Sequence, residues 1–196
     1  MVTTPQSIAP HILEFCAAIN PNAKPVYVSV FPARHALAGE AFHNVQHHIE
    51  RTGYGLPCNG WIIWEWPGLF VEAEHHCVYD PANGESMRDI TPQDERRVLF
   101  LPDETATYDF ESDSRARPNR RKAVRNHRLV HDYLAAFQMR DDFIQEKLKL
   151  GAKIEETLST RDMARFVTIV EEMDRLTFEL LGLQFGFVSQ SLKLAA

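Results

Sequence analysis

One histidine and one aspartate in the first half of the chain have the side chains, and the separation along the chain, that acid–base chemistry needs. His76 belongs to the segment Phe70–Tyr79, which predicts a strand, and Asp89 follows in a short extended segment. Side chains alternate along a strand, so His76 shares a face with Glu72 and Glu74. A histidine exchanges protons near neutral pH, and a carboxylate beside it fixes its tautomer. His76 and Asp89 are therefore a candidate general base and its orienting acid.

The residue at the start of the predicted helix Glu40–Thr52 decides what such a pair could act on. A thiol hydrolase places its cysteine at a helix N-terminus, where partial positive charge favours the thiolate. Ala41 occupies that place here, and it has no nucleophilic atom. Backbone amides near residues 41 and 42 are candidate donors to an oxyanion, and Asn44 lies about one turn further along the helix.

Four motifs follow one another between Gly39 and Pro92: Phe42-His43-Asn44-Val45, Gly60-Trp61-Ile62-Ile63-Trp64-Glu65, Glu72-Ala73-Glu74-His75-His76 and Asp89-Ile90-Thr91-Pro92. Together they resemble a largely uncharacterised family of bacterial and viral proteins with a papain-like (NlpC- or transglutaminase-like) order of Cys, His and Asp. The helix of that family opens with Cys-Phe-x-Asn-Val. The resemblance therefore implies a nucleophile at position 41, a base at His76 and its partner at Asp89. The alanine at position 41 implies an engineered change or a natural loss of the cysteine.

The resemblance implies a cysteine-dependent hydrolase or acyl-transferase that acts on an amide, isopeptide or ester bond. With Ala41 in place, the chain as given would be inactive. We expect a peptide or protein substrate and no cofactor. Candidate substrate-binding residues are Trp64, Trp66, Glu74 and Asn44, because aromatic rings line grooves and a carboxylate attracts a cationic group.

Two other functions fit the same residues. In the first, the domain is a non-catalytic module that binds a peptide or protein in a groove lined by tryptophans. In the second, a zinc-dependent hydrolase uses His43, His47 and His76, because two histidines four apart on a helix can bind one metal ion. A solvated face of the helix is the commoner explanation of the pair His43 and His47.

Composition narrows the class of protein. The 196 residues carry a net charge of −6, so there is no general basic field, and a nucleic-acid partner is not expected despite the basic run from Arg115 to Arg128. Cys16, Cys58 and Cys77 are too few for a disulfide framework, which favours a reducing cytoplasm. We expect no signal peptide and no membrane, because no apolar run approaches the roughly 20 residues of a membrane-spanning helix.

The elements that would position these residues predict an α+β fold. Strands are expected at Pro25–Phe31, Gly60–Pro67, Phe70–Tyr79, Met87–Ile90 and Val98–Leu101. They predict an antiparallel sheet packed on the N-terminal site helix in the papain-like manner. We assign residues 1–102 to this core and residues 103–119 to a linker or lid.

Residues 120–196 predict a C-terminal helical hairpin that packs on the core or on a second subunit. Apolar residues recur at helical spacing from Arg120 to Leu148, and Gly151 interrupts the pattern. Ser159-Thr160-Arg161-Asp162 is a capping-box pattern, and Gly182 marks the predicted end of the second helix. A homodimer through these helices is a candidate assembly.

Overall fold

The computed structural model describes residues 2–110, 117–147 and 158–194, with side chains described as far as residue 184. The chain forms two compact units. The barrel unit contains residues 2–67 and 71–122, and the helical unit is built from residues 68–70 and from residue 123 onwards.

Within the described residues, the barrel unit has helices α1 (Pro10–Ile19) and α2 (Ala41–Thr52). Its strands are β1 (Val26–Val30), β2 (Leu56–Trp66), β3 (Phe70–Asp80), β4 (Arg88–Asp89), β5 (Arg97–Pro102) and β6 (Arg120–Ala123). Only Phe70 and Ala123, at the ends of β3 and β6, are assigned to the helical unit.

Five strands close into a mixed β-barrel. The pairing runs from β2 to β5, β1, β4 and β3 and returns to β2, while β6 adds to β3. Strands β1 and β4 are parallel, with Val30 opposite Asp89, whereas β5 is antiparallel to β1 and β2, and β3 is antiparallel to β4. The predicted fold class, a papain-like antiparallel sheet packed on the site helix, is therefore wrong.

The barrel closes because two strands are long and one short strand has two partners. Strands β2 and β3 each contain 11 residues, enough to pair with different neighbours along their length. Strand β4 contains 2 residues, yet it pairs with both β1 and β3 and so joins the two sides. Hydrophobic alternation shows where strands lie along the chain, but it does not show which distant strands meet. The pattern therefore predicts a meander where the chain forms a barrel.

The side chains of β2 alternate between two buried clusters. Trp61 and Ile63 pack with Ile12 of α1, whereas Ile62 packs with Val28 on the other face. A third cluster joins α2 to β3 and β4, and it contains Phe42, Val45, Cys77, Tyr79 and Ile90. Burial of each large apolar side chain stabilises the fold by about 1.5–3 kcal/mol, so these clusters hold both helices on the barrel.

Two glycines are required by the local geometry of the barrel unit. Gly53 has φ 76° and ends α2 at Thr52, the predicted last residue of this helix, and its N–H donates to the carbonyl of Ile49 at 2.8 Å. Gly60 pairs with Pro102 of β5, and a Cβ atom there would overlap the carbonyl oxygen of Leu101. Strands β2 and β5 can approach this closely because residue 60 has no side chain.

The helical unit contains α3 (Arg128–Lys147) and α4 (Thr160–Leu194). The helices are antiparallel, because Phe143 contacts Phe166 at 5.5 Å while Thr177 donates to the hydroxyl of Tyr133 at 3.4 Å. The N–H of Asp162 donates to Oγ of Ser159 at 3.1 Å, as the capping pattern predicts. None of the helices within the described ranges has the length and apolar character of a membrane span.

Two helix boundaries predicted from the sequence are wrong. The helix expected from Arg120 begins at Arg128, because Arg120–Ala123 form β6 instead. The helix expected to end at Gly182 continues to Leu194. The predicted break at Gly151 lies outside the described residues, as do residues 111–116 of the predicted linker or lid.

Candidate functional site

His76 of β3 and Asp89 of β4 form a buried pair. Nε2 of His76 lies 3.1 Å from Oδ2 of Asp89, and the two residues are 3 % and 0 % exposed. An ionised carboxylate only accepts hydrogen bonds, so Nε2 carries the proton in this contact. Nδ1 of His76 makes no hydrogen bond to the residues that the structure describes. The ring is therefore held in the tautomer that a general base needs, with a lone pair on Nδ1.

The carboxylate of Asp89 is fixed by more than His76. The backbone N–H of Thr91 donates to Oδ1 at 2.9 Å, and the side-chain amide of Gln93 donates to Oδ2 at 3.4 Å. The backbone of Asp89 also belongs to the parallel pairing with Val30 of β1. The barrel therefore orients this carboxylate without help from a ligand.

Asn44 of α2 connects the helix to this pair. Its Nδ2 donates to Oγ1 of Thr91 at 3.1 Å and to the carbonyl of Leu37 at 2.8 Å. Its Oδ1 accepts the N–H of Leu37 at 2.9 Å. The sequence predicts Asn44 as a substrate-binding residue, but both of its amide protons are used within the chain. In this structure Asn44 joins the loop before α2 to the segment after β4.

Ala41 is the first residue of α2 and is 5 % exposed. The residue before it, Glu40, makes no side-chain hydrogen bond that caps the helix. Amide N–H groups in the first turn of a helix have no partner within the helix, so those of Ala41 and Phe42 are suited to bind an anion. The position has donors for an oxyanion and no nucleophile.

The neighbouring histidine on β3, His75, packs toward α2. Its ring lies 4.5 Å from that of Phe42, the residue after Ala41, whereas His76 points to the opposite face of the strand. Nε2 of His75 donates to the carbonyl of Ala106 at 2.8 Å, and Nδ1 accepts the N–H of Arg117 at 2.9 Å. Burial lowers the pKa of His75, against the opposing effect of the Ala106 carbonyl. With both nitrogens in use, His75 is not available as a base.

An acidic cavity of about 390 Å³ lies beside the face of β3 that carries His76, and it is lined by Val2, Trp64, Glu72, Glu74, Gln93, Asp94 and Glu95. Nε1 of Trp64 donates to Glu74 at 2.7 Å. Gln93 lines the cavity and also contacts Asp89, so the cavity and the buried pair share a residue. Trp66, also predicted as a substrate-binding residue, is 2 % exposed and does not line this cavity.

Arg120 and Arg121, which the sequence places at the start of the predicted C-terminal helix, lie on β6 instead and contact the barrel. Arg121 forms an ion pair with Glu72 at 2.8 Å, which offsets one of the carboxylates of the cavity. The guanidinium of Arg120 lies 4.7 Å from the ring of Trp61. Arg115, at the start of the basic run, lies outside the described residues.

None of the three cysteines is poised to replace the missing nucleophile. Burial raises the pKa of Cys16 to about 12 and raises the pKa of Cys77 well above its ordinary value. Burial, followed by the charges of Asp80 and Glu104, also raises the pKa of Cys58. The thiolate is the reactive form, so all three thiols are held in their unreactive form.

The residues predicted as zinc ligands do not come together. His43 and His47 are exposed on α2, and Nε2 of His43 lies 3.3 Å from the hydroxyl of Tyr108. His76 is buried against Asp89. Across the described ranges, no three His, Cys, Asp or Glu side chains are arranged to hold a metal ion. The zinc-dependent alternative therefore finds no ligand set there.

Comparison of the chain with protein-family models, with curated proteins and with solved structures gave no match in any of the three. The function is therefore inferred from the residues themselves.

Two residues of this site, Thr91 and Gln93, are not predicted from the sequence as functional. Thr91 could have been found, because an aspartate that accepts the N–H two residues later is a common turn, and Asp89-Ile90-Thr91-Pro92 suits it. Gln93 carries no such signal, since its contact with Asp89 depends on how the chain bends after β4.

Proposed function

We propose that this chain carries the base and the orienting acid of a cysteine hydrolase or acyl-transferase site whose nucleophile position holds Ala41. The observation that supports the proposal is the hydrogen bond from Nε2 of His76 to Asp89, which leaves the lone pair of Nδ1 without a partner among the described residues. The chain as given lacks the nucleophile, by engineering or by natural loss, and is inactive in this reaction.

In an active form, a thiol at position 41 gives its proton to Nδ1 of His76. This step requires the His76 ring to reach the α2 side of β3 from the opposite face, which it occupies here. The thiolate attacks the carbonyl carbon of an amide, isopeptide or ester bond in a peptide or protein, and the first-turn amides of α2 bind the oxyanion. Asp89 stabilises the imidazolium, which protonates the leaving amine or alcohol. Water, or an acceptor amine, then attacks the thioester with His76 as base and restores the thiol.

The link between α2 and Asp89 also supports this proposal. Asn44 lies one turn after Ala41, and it is joined through Thr91 to the carboxylate that orients His76. The helix start and the acid–base pair are thus connected by two buried hydrogen bonds, which favours a fixed relative position.

The experiment that tests the proposal restores the nucleophile as Ala41→Cys and measures turnover of aryl esters and peptide amides. We expect hydrolysis that the parent chain lacks, and a loss of about 100-fold or more when His76→Ala is added. Ala38→Cys is the matched control, because it places a thiol on an exposed residue of the loop before α2. Equal rates for the two thiol variants, or no effect of His76→Ala, would overturn the proposal.

We further propose a cytoplasmic location. All three cysteines are free, and Cys16 and Cys77 are buried as thiols, which suits a reducing compartment. A homodimer through α3 and α4 also stays a prediction, with the exposed Phe178 of α4 as a candidate contact.

The acidic cavity favours a second function, the non-catalytic binding of a peptide or protein through a cationic side chain. Trp64 offers an aromatic ring, and Glu74, Asp94 and Glu95 offer carboxylates around the same space. An ammonium or guanidinium group is attracted by both kinds of surface. This function needs no nucleophile, so it is compatible with Ala41.

Calorimetric titration with an arginine-containing peptide and its citrulline counterpart tests this second function. We expect only the arginine peptide to bind, more weakly at high salt, because citrulline has the same shape without the charge. Glu74→Gln should weaken binding while keeping an acceptor for Trp64, and Glu104→Gln is an exposed control outside the cavity. Equal binding of the two peptides would exclude recognition by charge.

A further inference from the structure

Three histidines meet where the loop before α2 packs on that helix. His35 contacts the ring of His47 edge-on at 4.7 Å and stacks on the ring of His48 at 5.6 Å. Nε2 of His35 is buried and has no hydrogen-bond partner among the described residues. Charged imidazoles this close repel one another, so the packed cluster favours neutral rings.

The surroundings of His48 add to this preference. Its ring lies 4.7 Å from that of Tyr79 on β3, and Arg88 of β4 lies 5.8 Å from the centre of the same tyrosine ring. Burial lowers the pKa of His48; a proton on His35 would lower it further, as do the positive charges of Arg88 and Arg51. The helix, the loop and strand β4 therefore all disfavour a proton on this ring.

Among the described residues, few acidic groups are placed to stabilise a proton on these histidines. Glu85 forms an ion pair with Arg88 at 2.6 Å, so its charge is directed at the arginine. A cavity of about 430 Å³ borders the cluster on its outer side and is lined by His35, Leu37, Glu40, His43, Asn44, Gln46, His47 and Glu50. Glu40 and Glu50 are exposed, where solvent screens their charge.

The cluster lies next to the contacts that fix the second half of the loop. Leu37 is two residues after His35, and both its N–H and its carbonyl are bonded to Asn44. The first part of the loop is held separately, because Phe31 and Ala33 donate to the carbonyls of Asp89 and Ile90. Residues 34–39 can therefore leave α2 without breaking the contacts to β4, whereas the carbonyl of Glu40 accepts the N–H of Asn44 in the first turn of the helix.

We propose that His35, His47 and His48 form an acid-sensitive latch, which holds residues 34–39 on α2 while the rings are neutral and releases them on protonation. A proton on one ring places charge beside two other imidazoles, Arg51 and Arg88. A protonated His35 carries an N–H at Nε2, which is buried and has no acceptor among the described residues. Release separates Leu37 from Asn44, the residue that also holds Thr91. The latch requires none of the chemistry proposed for position 41.

Hydrogen exchange at the Leu37 amide tests the latch, with rates divided by the intrinsic rate at each pH. We expect protection of the Leu37 amide to be constant above pH of about 7. Below that pH it should fall by about tenfold per pH unit for each proton that the cluster binds when the loop is released. His35→Phe keeps an aromatic ring in the cluster without a titrating group, so its protection should not depend on pH. His131→Gln, on α3, is the matched control and should keep the pH dependence of the parent chain.

The Gly53 amide at the end of α2 is the internal reference, because it reports opening of the helix itself. Constant protection of Gly53 while Leu37 loses protection supports the latch. Three results would overturn the latch. Protection of Leu37 does not change with pH in the parent chain, it falls equally in His35→Phe, or it falls together with protection of Gly53. If His35→Phe does not fold, His48→Gln removes the stacked imidazole, and the same outcomes apply.

Discussion

His75 and His76 are adjacent on β3, yet their hydrogen bonds give them opposite properties. His75 has a carbonyl acceptor on one nitrogen and an N–H donor on the other, so one neutral tautomer is fixed. His76 has a carboxylate on Nε2 and no partner for Nδ1 among the described residues. The alternation of a strand separates the two rings, so one packs against α2 and the other is the candidate base.

The neutral state of His75 predicts a dependence on pH. Its pKa is lowered by burial, so the folded protein binds this proton less readily than the unfolded chain. The stability that depends on neutral His75 is present above pH of about 6.5 and is lost as the pH falls below that value. We expect the ring ¹⁵N signals of the neutral Nε2–H imidazole to persist to lower pH than those of a histidine in a model peptide. Titration of His75 like that model peptide would contradict its assigned state.

Asn44→Ala should destabilise the protein strongly. The change removes three hydrogen bonds and leaves polar groups of Leu37 and Thr91 without their partner. We expect a loss of about 2–3 kcal/mol in the free energy of unfolding, measured with urea. Gln46→Ala, which removes an exposed contact with Glu50 on the same helix, should change it by less than about 0.5 kcal/mol. Similar losses in both variants would show that Asn44 does not fasten the loop.

Local elements follow from the sequence better than their pairing does. Gly53 ends α2 and Ser159 caps the start of α4, because both signals act within a few residues. The parallel contact between Val30 and Asp89 joins segments far apart in sequence, and no local pattern encodes it. The candidate pair His76 and Asp89 could be named from residue types, whereas the contact between Asn44 and Thr91 depends on the closed barrel.

Gly60→Ala tests the close approach of β2 and β5. The added Cβ would overlap the carbonyl oxygen of Leu101 and lie 2.7 Å from the ring of Phe100. The strands must separate to make room, and we expect a loss of about 3 kcal/mol in the free energy of unfolding. Gly84→Ala is the control, since it meets no atom within 4 Å and carries only the strain of its φ of 89°. A Gly60→Ala protein no less stable than Gly84→Ala would contradict the pairing.

Gly182→Ala tests the length of α4. Within a continuous helix alanine is favoured over glycine, and a Cβ at residue 182 meets no atom within 4 Å. We expect stabilisation of the helical unit by about 0.5–1 kcal/mol, measured by urea unfolding followed by circular dichroism. Destabilisation would indicate that Gly182 ends the helix, as the sequence pattern predicts.

The strand pairing that closes the barrel also positions a residue of the candidate acid–base pair. Strand β4 is the link that joins β1 to β3, and Asp89 is one of its two residues. The strand pairing that closes the barrel therefore also places the carboxylate beside His76. A change that opens the barrel at β4 should disturb the acid–base pair at the same time.

In the proposed function, position 41 and the pair His76–Asp89 act on the same reacting group. The most direct test is the pKa of a thiol introduced as Ala41→Cys, measured from the ultraviolet absorbance of the thiolate relative to the parent chain. We predict a pKa at least about one unit below the ordinary value of about 8.5, because the helix start and His76 favour the thiolate. Adding His76→Ala should raise it again, whereas adding His75→Gln should leave it low. A thiol pKa at or above the ordinary value, unchanged by His76→Ala, would contradict the claim and leave cation binding in the acidic cavity as the better account.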